Sequence, residues 1–278
     1  MTAQTTVLVL LDGPSNATAA LPVARGFAHL LGATVALVHL GREAVPPDEL
    51  IERMGLSPDD VRGLMIDQCS GSPADAIAGA AAAGHTALVV TTAPAAPDPS
   101  SAFEGVPRAV LRAAPWPVVL VPAICGRRPW ALRQLLLPHD GTPTSAAAIA
   151  PTADLASRSS AELVVLHVAT PGVDRSSEPG SFAAPRYLDQ PQHEWPVWER
   201  EFLERVRAAA HPRHIEKARL VLAQGEAGAA ILEFARCHAS DLIALAWRGS
   251  VESERAQTIR RVIRDAGCPV IVFRVQAG

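Results

Sequence analysis

The chain has 278 residues, 49% of them hydrophobic and 19% charged, a composition that describes a soluble globular protein with room for two domains of ordinary size. Its formal net charge of −3 gives no polybasic field, so neither nucleic acid nor a membrane surface is an expected partner. Cys69, Cys125, Cys237 and Cys268 are far apart, without the C-x-x-C spacing of a zinc knuckle or redox pair, and they fit buried thiols in a reducing compartment.

The N-terminus has no basic region, and its first apolar run is only Val7 to Leu11. Neither a signal peptide nor a transmembrane segment is expected, and a cytoplasmic location follows by default. A first strand over about Thr6 to Leu11 is broken by Asp12-Gly13-Pro14-Ser15, and a helix follows to Leu31, with Leu21, Ala24, Ala28 and Leu31 at helical spacing. Strands are expected at Thr34 to Leu40, Gly63 to Cys69, Ala87 to Thr91 and Val118 to Val121. Helices are expected near Asp48 to Met54, from Pro73 to Ala83, and over Val106 to Ala114. After a linker the order repeats. Strands fall near Gln134 to Pro138, Glu162 to Val168, Ala218 to Leu222, Asp241 to Trp247 and Val270 to Phe273. Helices fall near Ser145 to Ser159, Trp195 to Ala210, Gly228 to His238 and Glu254 to Asp265.

Apolar strands alternating with helices predict a parallel sheet covered on both faces. The duplication is visible in single residues. Asp12 lies 27 residues before His39, as Asp140 lies 27 before His167, and all four stand at the ends of strand-like runs. The expected domains are 1–123 and 133–278, joined by a linker over 124–132 and pairing with each other through their fifth strands, whose edges need cover. The segment Pro171 to Glu194 has no counterpart in the first half and reads as a long loop, containing Tyr187 and followed by Trp195 and Trp198.

Each motif has a plain structural reading. Asp12 and Asp140 suit caps for the helices that follow them. His39 and His167 suit packed strand-end histidines. His139 and Asp140 are adjacent and should point in different directions, and His211-Pro212-Arg213-His214 suits a helix-ending turn. No nucleophile stands at a recognisable spacing from a base, so the residues give catalysis no support.

The Asp after strand one, the L-V-H-L and L-H-V strands, the Gly before helix three and the W-P-V or C-P-V before strand five resemble a tandem universal stress protein. The resemblance implies an α/β fold of two Rossmann-like domains, each a five-stranded parallel sheet in the order 3-2-1-4-5 flanked by helices. It implies a ligand site outside the carboxyl ends of the strands, where the order reverses. ATP-binding members carry G-x2-G-x9-G-[ST] after strand four, with the Asp near the ribose and the residue after the strand-two His near the base.

In the first half Asp12 and Leu40 match, but the glycine positions fall on Thr92 and Ala95. The later pair falls on Gly105-Val106 or Glu104-Gly105, without a hydroxyl. ATP binding is therefore expected to be lost there. In the second half Asp140, Val168 and Gly249 match, Ala246 replaces the first glycine, and Ala256-Gln257 stand where Gly-Ser or Gly-Thr would be. Arg248, Ser250 and Thr258 are candidate substitute donors, while Glu252 and Glu254 oppose a polyanion.

The expected role is non-catalytic sensing or interaction in a stress response, with no certain cofactor. The alternative is a regulator that binds an adenosine nucleotide (ATP or AMP) at Asp140, Val168, Arg248, Gly249, Ser250 and Thr258. A homodimer is left open, and a nucleotide-hydrolysing relative is the most distant reading.

Overall fold

A computed structural model of the chain describes residues 5–11, 17–41, 43–93, 106–169, 178–181, 199–206, 208, 218–248 and 254–275. In chain order the first repeat contains β1 (Thr6–Leu11), α1 (Ala17–Leu31), β2 (Thr34–Leu40), α2 (Pro47–Arg53), β3 (Met65–Cys69), α3 (Pro73–Ala83), β4 (Thr86–Thr92), α4 (Val106–Ala113) and β5 (Val118–Val121). The second contains β6 (Gln134–Pro138), α5 (Pro143–Ala146), α6 (Ile149–Ser159) and β7 (Glu162–Ala169). Helical residues 199–206, here α7, come next. The repeat closes with β8 (Ala218–Gln224), α8 (Ala227–Cys237), β9 (Leu242–Trp247), α9 (Glu254–Asp265) and β10 (Val270–Arg274). Counted within each repeat, both strand orders read 3-2-1-4-5, the α/β arrangement expected from the duplicated sequence.

Contacts divide the chain into two compact units, Met1–Ala131 with Ile263–Arg274, and Leu132–Val262 with Val275–Gly278. In the first unit β1 is central. It pairs in parallel with β2 (Thr6 opposite Thr34) and with β4 (Val7 opposite Leu88). Its run Val7 to Leu11 is buried throughout, as a parallel strand covered on both faces must be. α1 covers it with Leu21, Val23, Ala24, Phe27 and Ala28. α3 starts with a capping box, in which the Ser72 hydroxyl accepts from the Asp75 amide and the Asp75 carboxylate from the Ser72 amide. It ends on Gly84, whose φ of 78° is a left-handed conformation that glycine adopts without strain.

The C-terminal strand β10 belongs to this first unit. It pairs antiparallel with β5, Val270 opposite Leu120 and Val272 opposite Val118. Both fifth strands are short and apolar, and each is the cover for the other's edge, the pairing expected from the sequence.

In the second unit β6 is central, paired in parallel with β7 (Gln134 opposite Glu162) and with β9 (Leu135 opposite Leu242), while β8 lies beyond β7. The side chain of Asp241 accepts from the amides of Arg133 and Gln134 at 2.8 Å each, which fixes where β6 begins. The single helix expected over Ser145 to Ser159 is two, with a turn at residues 147–148. The cause is Pro151. In an unbroken helix it would leave the Ala147 carbonyl without its N–H partner and press its ring on that carbonyl, whereas in the first turn of α6 it costs nothing.

Asp12, Ala95, Glu104, Gly105, Tyr187, Trp195, Trp198, His211 to His214, Gly249 and Ser250 lie outside the described residues, as does most of the segment expected as a loop over Pro171 to Glu194. No helix among the described residues is long and apolar enough to cross a membrane.

Candidate functional site

The end of β6 is tied down by its own side chains. The His139 amide donates to the Leu166 carbonyl at 2.9 Å, and the chain then turns at Gly141, whose φ is 82°. One oxygen of Asp140, Oδ1, accepts from the Thr142 amide at 3.1 Å, the Thr142 hydroxyl at 2.6 Å and the Ser145 hydroxyl at 2.7 Å. Thr142 is the N-cap of α5, its Oγ1 accepting from the Ser145 amide at 3.3 Å. Asp140 is thus not the cap itself. It holds the residue that is.

Ser145, His139 and Asp140 together look like a nucleophile set, and the geometry decides against it. The Gly141 amide donates to His139 Nδ1 at 2.9 Å. A neutral imidazole nitrogen has one lone pair, so Nδ1 is committed and does not serve as base for the Ser145 hydroxyl 3.3 Å away. That hydroxyl donates to Asp140 instead, and Ser145 is buried. The two neighbours do point apart, His139 buried and Asp140 exposed.

His167, at the end of β7, is buried at 5% exposure. Its Nδ1–H donates to the His139 carbonyl at 2.8 Å, and Phe202 of α7 lies against both imidazoles, 4.9 Å from His139 and 5.8 Å from His167 between ring centroids. Burial pushes the His167 pKa below its ordinary value, against the smaller upward pull of the His139 carbonyl and Asp140. This is a packed, neutral strand-end histidine.

The most consequential contact sits beside α5, which packs against β9. Glu178 Oε1 accepts from the Thr144 amide at 3.0 Å and the Thr144 hydroxyl at 2.7 Å, and lies 2.8 Å from Arg248 Nη2. Arg248 directly follows β9, with its side chain 46% exposed, while the Glu178 side chain is 16% exposed. A cation, a hydroxyl and an amide therefore converge on one carboxylate oxygen at the carboxyl end of the sheet.

Of the residues expected at a ligand site, Asp140 and Arg248 stand at the ends of the neighbouring strands β6 and β9. Val168 is half-buried on β7 and Thr258 half-buried on α9, apart from this hydrogen-bonded set. In the first repeat Thr92 is buried at the end of β4 and Leu40 half-buried at the end of β2. Sequence reasoning missed Thr144, Ser145 and Glu178. The first two had a signal, since Thr142-Pro143 is a cap followed by a first-turn proline. Glu178 had none, because it lies in the segment without a counterpart. No group of three or more His, Cys, Asp or Glu among the described residues could hold a metal ion.

Two Rossmann-like repeats in tandem, each with a helix three entered from a Gly, define the class. A sequence model of the universal stress protein family matches residues 131–274, more than half of the chain, and the protein belongs to that family. Among solved structures, it is similar to a functionally unknown protein of Pseudomonas aeruginosa PAO1, 17% identical over 98% of this chain and 93% of that one, with a TM-score of 0.63. It is similar also to a universal stress protein of Archaeoglobus fulgidus DSM 4304, 14% identical over 96% of each chain, with a TM-score of 0.58. At such identities the likeness is one of fold. No curated protein matches the chain at a significant level.

Proposed function

We propose that this stress-response protein is a non-catalytic cytoplasmic sensing or interaction protein that does not use magnesium-ATP. The observation that carries the reading is the carboxylate of Glu178 held by Thr144 and Arg248. The fixed cation at the end of β9, the group best placed to meet a polyphosphate, is spent on the protein's own anion. The Asp140 oxygen with three internal donors supports the same reading, since its first task is to hold the turn. The domains 1–123 and 133–278 are the working units of this proposal, and a homodimer is the simplest assembly for it. The test is the nucleotide content of the purified protein by heat release and absorbance, followed by calorimetry of the full chain with magnesium-ATP. Neither should show binding, and a micromolar affinity would overturn the proposal.

A second reading is favoured by one observation, that Asp140 and Arg248 stand at the ends of adjacent strands at the sheet's switch point. On it, the second repeat takes an adenosine-type ligand of low charge, framed by Asp140, Val168, Arg248, Gly249, Ser250 and Thr258. Titration with adenosine, AMP and ATP in parallel separates the two readings.

A further inference from the structure

We infer that Glu178 is an internal competitor for the anionic group of a ligand in the second repeat, so that this repeat selects an uncharged nucleoside over its phosphates. The inference rests on the second reading above and assigns the residue that sets its specificity. Among the described residues three donors reach one Glu178 oxygen, the Thr144 amide at 3.0 Å, the Thr144 hydroxyl at 2.7 Å and Arg248 Nη2 at 2.8 Å. An amide, a hydroxyl and a guanidinium are also the set that a phosphate oxygen engages. The carboxylate already has them, in a place where its side chain is only 16% exposed.

The backbone around Glu178 is built to hold it there. The Ser181 amide and hydroxyl both donate to the Glu178 carbonyl, at 3.1 and 2.6 Å. Gly180, at φ 83°, brings this turn against α5, where a Cβ added to it would stand 3.4 Å from Pro143 Cγ. A phosphate entering beside Arg248 must either displace Glu178 from all three donors or sit next to its charge. A neutral ribose end does neither. The cost falls on the charged group alone, and grows with its charge from AMP to ATP.

The test uses the full chain and two probes, adenosine and AMP, with Glu178→Gln and Glu178→Ala measured beside the parent by equilibrium dialysis. Gln keeps an acceptor for Thr144 and removes the charge, so it preserves the turn if Ala does not. Both variants should raise the ratio of AMP to adenosine affinity about tenfold, which is about 1.4 kcal/mol. Adding Arg248→Ala to Glu178→Gln should cancel that gain. A ratio unchanged in both folded variants, with adenosine still bound, sinks the role of Glu178 and leaves the adenosine site standing. If neither probe binds the parent or any variant, the site and the competitor fall together.

Discussion

His167 and His139 are joined by a hydrogen bond of 2.8 Å from the Nδ1–H of one to the carbonyl oxygen of the other, tying the end of β7 to the end of β6. Because a carbonyl only accepts, the bond fixes the His167 proton on Nδ1. Burial is the largest influence on this ring and lowers its pKa, so the folded state binds its second proton less readily than the unfolded state. Stability from this group is therefore fully present above the unfolded value of about 6.5 and is lost as pH falls below it towards the folded pKa. The melting temperature of the parent should drop between roughly pH 7 and pH 5.5, on either side of that value, more steeply than that of His167→Gln. Parallel curves for the two proteins would show that another group governs this window.

Glu226 carries a different pH dependence. It is the N-cap of α8, its two oxygens accepting from the Gly228 amide at 2.8 Å and the Ala229 amide at 2.9 Å, with Arg261 of α9 paired to it. Burial pushes its pKa up, but the two amides and Arg261 outweigh this and hold it below the ordinary glutamate value. The contribution is present above the unfolded pKa of about 4.3 and disappears as pH falls through the lower folded one. Glu226→Ala should cost about 1 kcal/mol near neutral pH, the usual cost of a lost cap. Urea midpoints at pH 7 and at pH 3 check this, and the gap between parent and variant should close at the acid end.

Trp130 stacks on Phe27 with ring centroids 4.8 Å apart and an angle of 24°. It reaches that place only because residue 26 is glycine, where an added Cβ would stand 2.4 Å from Trp130 Cε3. Gly26→Ala should therefore destabilise by about 1–3 kcal/mol, the scale of forced repacking. The same change in a Trp130→Leu background should cost clearly less, and a thermal or urea double-mutant cycle measures the difference. Equal costs in both backgrounds would mean that the indole yields without strain.

Most of the fold was legible because a parallel strand buried on both faces is a continuous apolar run, and because the chain writes the pattern twice. Val7 to Leu11 and Leu135 to Leu137 are such runs, and each proves to be the central strand of its unit. The helix break before Pro151 was legible in principle, since proline punishes one register and tolerates another. Two features had no local signature. Trp130 lies in what reads as a linker, and its partner Phe27 is far away in sequence. Glu178 lies in a Pro, Ser and Gly-rich insert, and nothing near it announces that a threonine and an arginine on separate elements will close on it. Long-range pairing of single side chains carries no periodicity, and only the folded chain reveals it.

Asp140 is where the structural and the ligand-binding readings make different demands. If its work is to hold the turn, Asp140→Ala strands the Thr142 amide and two hydroxyls that now point at Oδ1. Hydrogen bonds to a charged acceptor are worth about 1.5–3 kcal/mol each in favourable cases, but water reaches this exposed residue and recovers part of the loss. A net cost of about 1–2 kcal/mol is expected, with the melting transition lowered accordingly. Asp140→Asn keeps an oxygen in the same place and removes only the charge, so it should cost less than half as much. Urea denaturation of the two variants beside the parent checks the order. If alanine costs no more than asparagine, the three contacts are not holding α5, and the carboxylate serves a ligand rather than the turn.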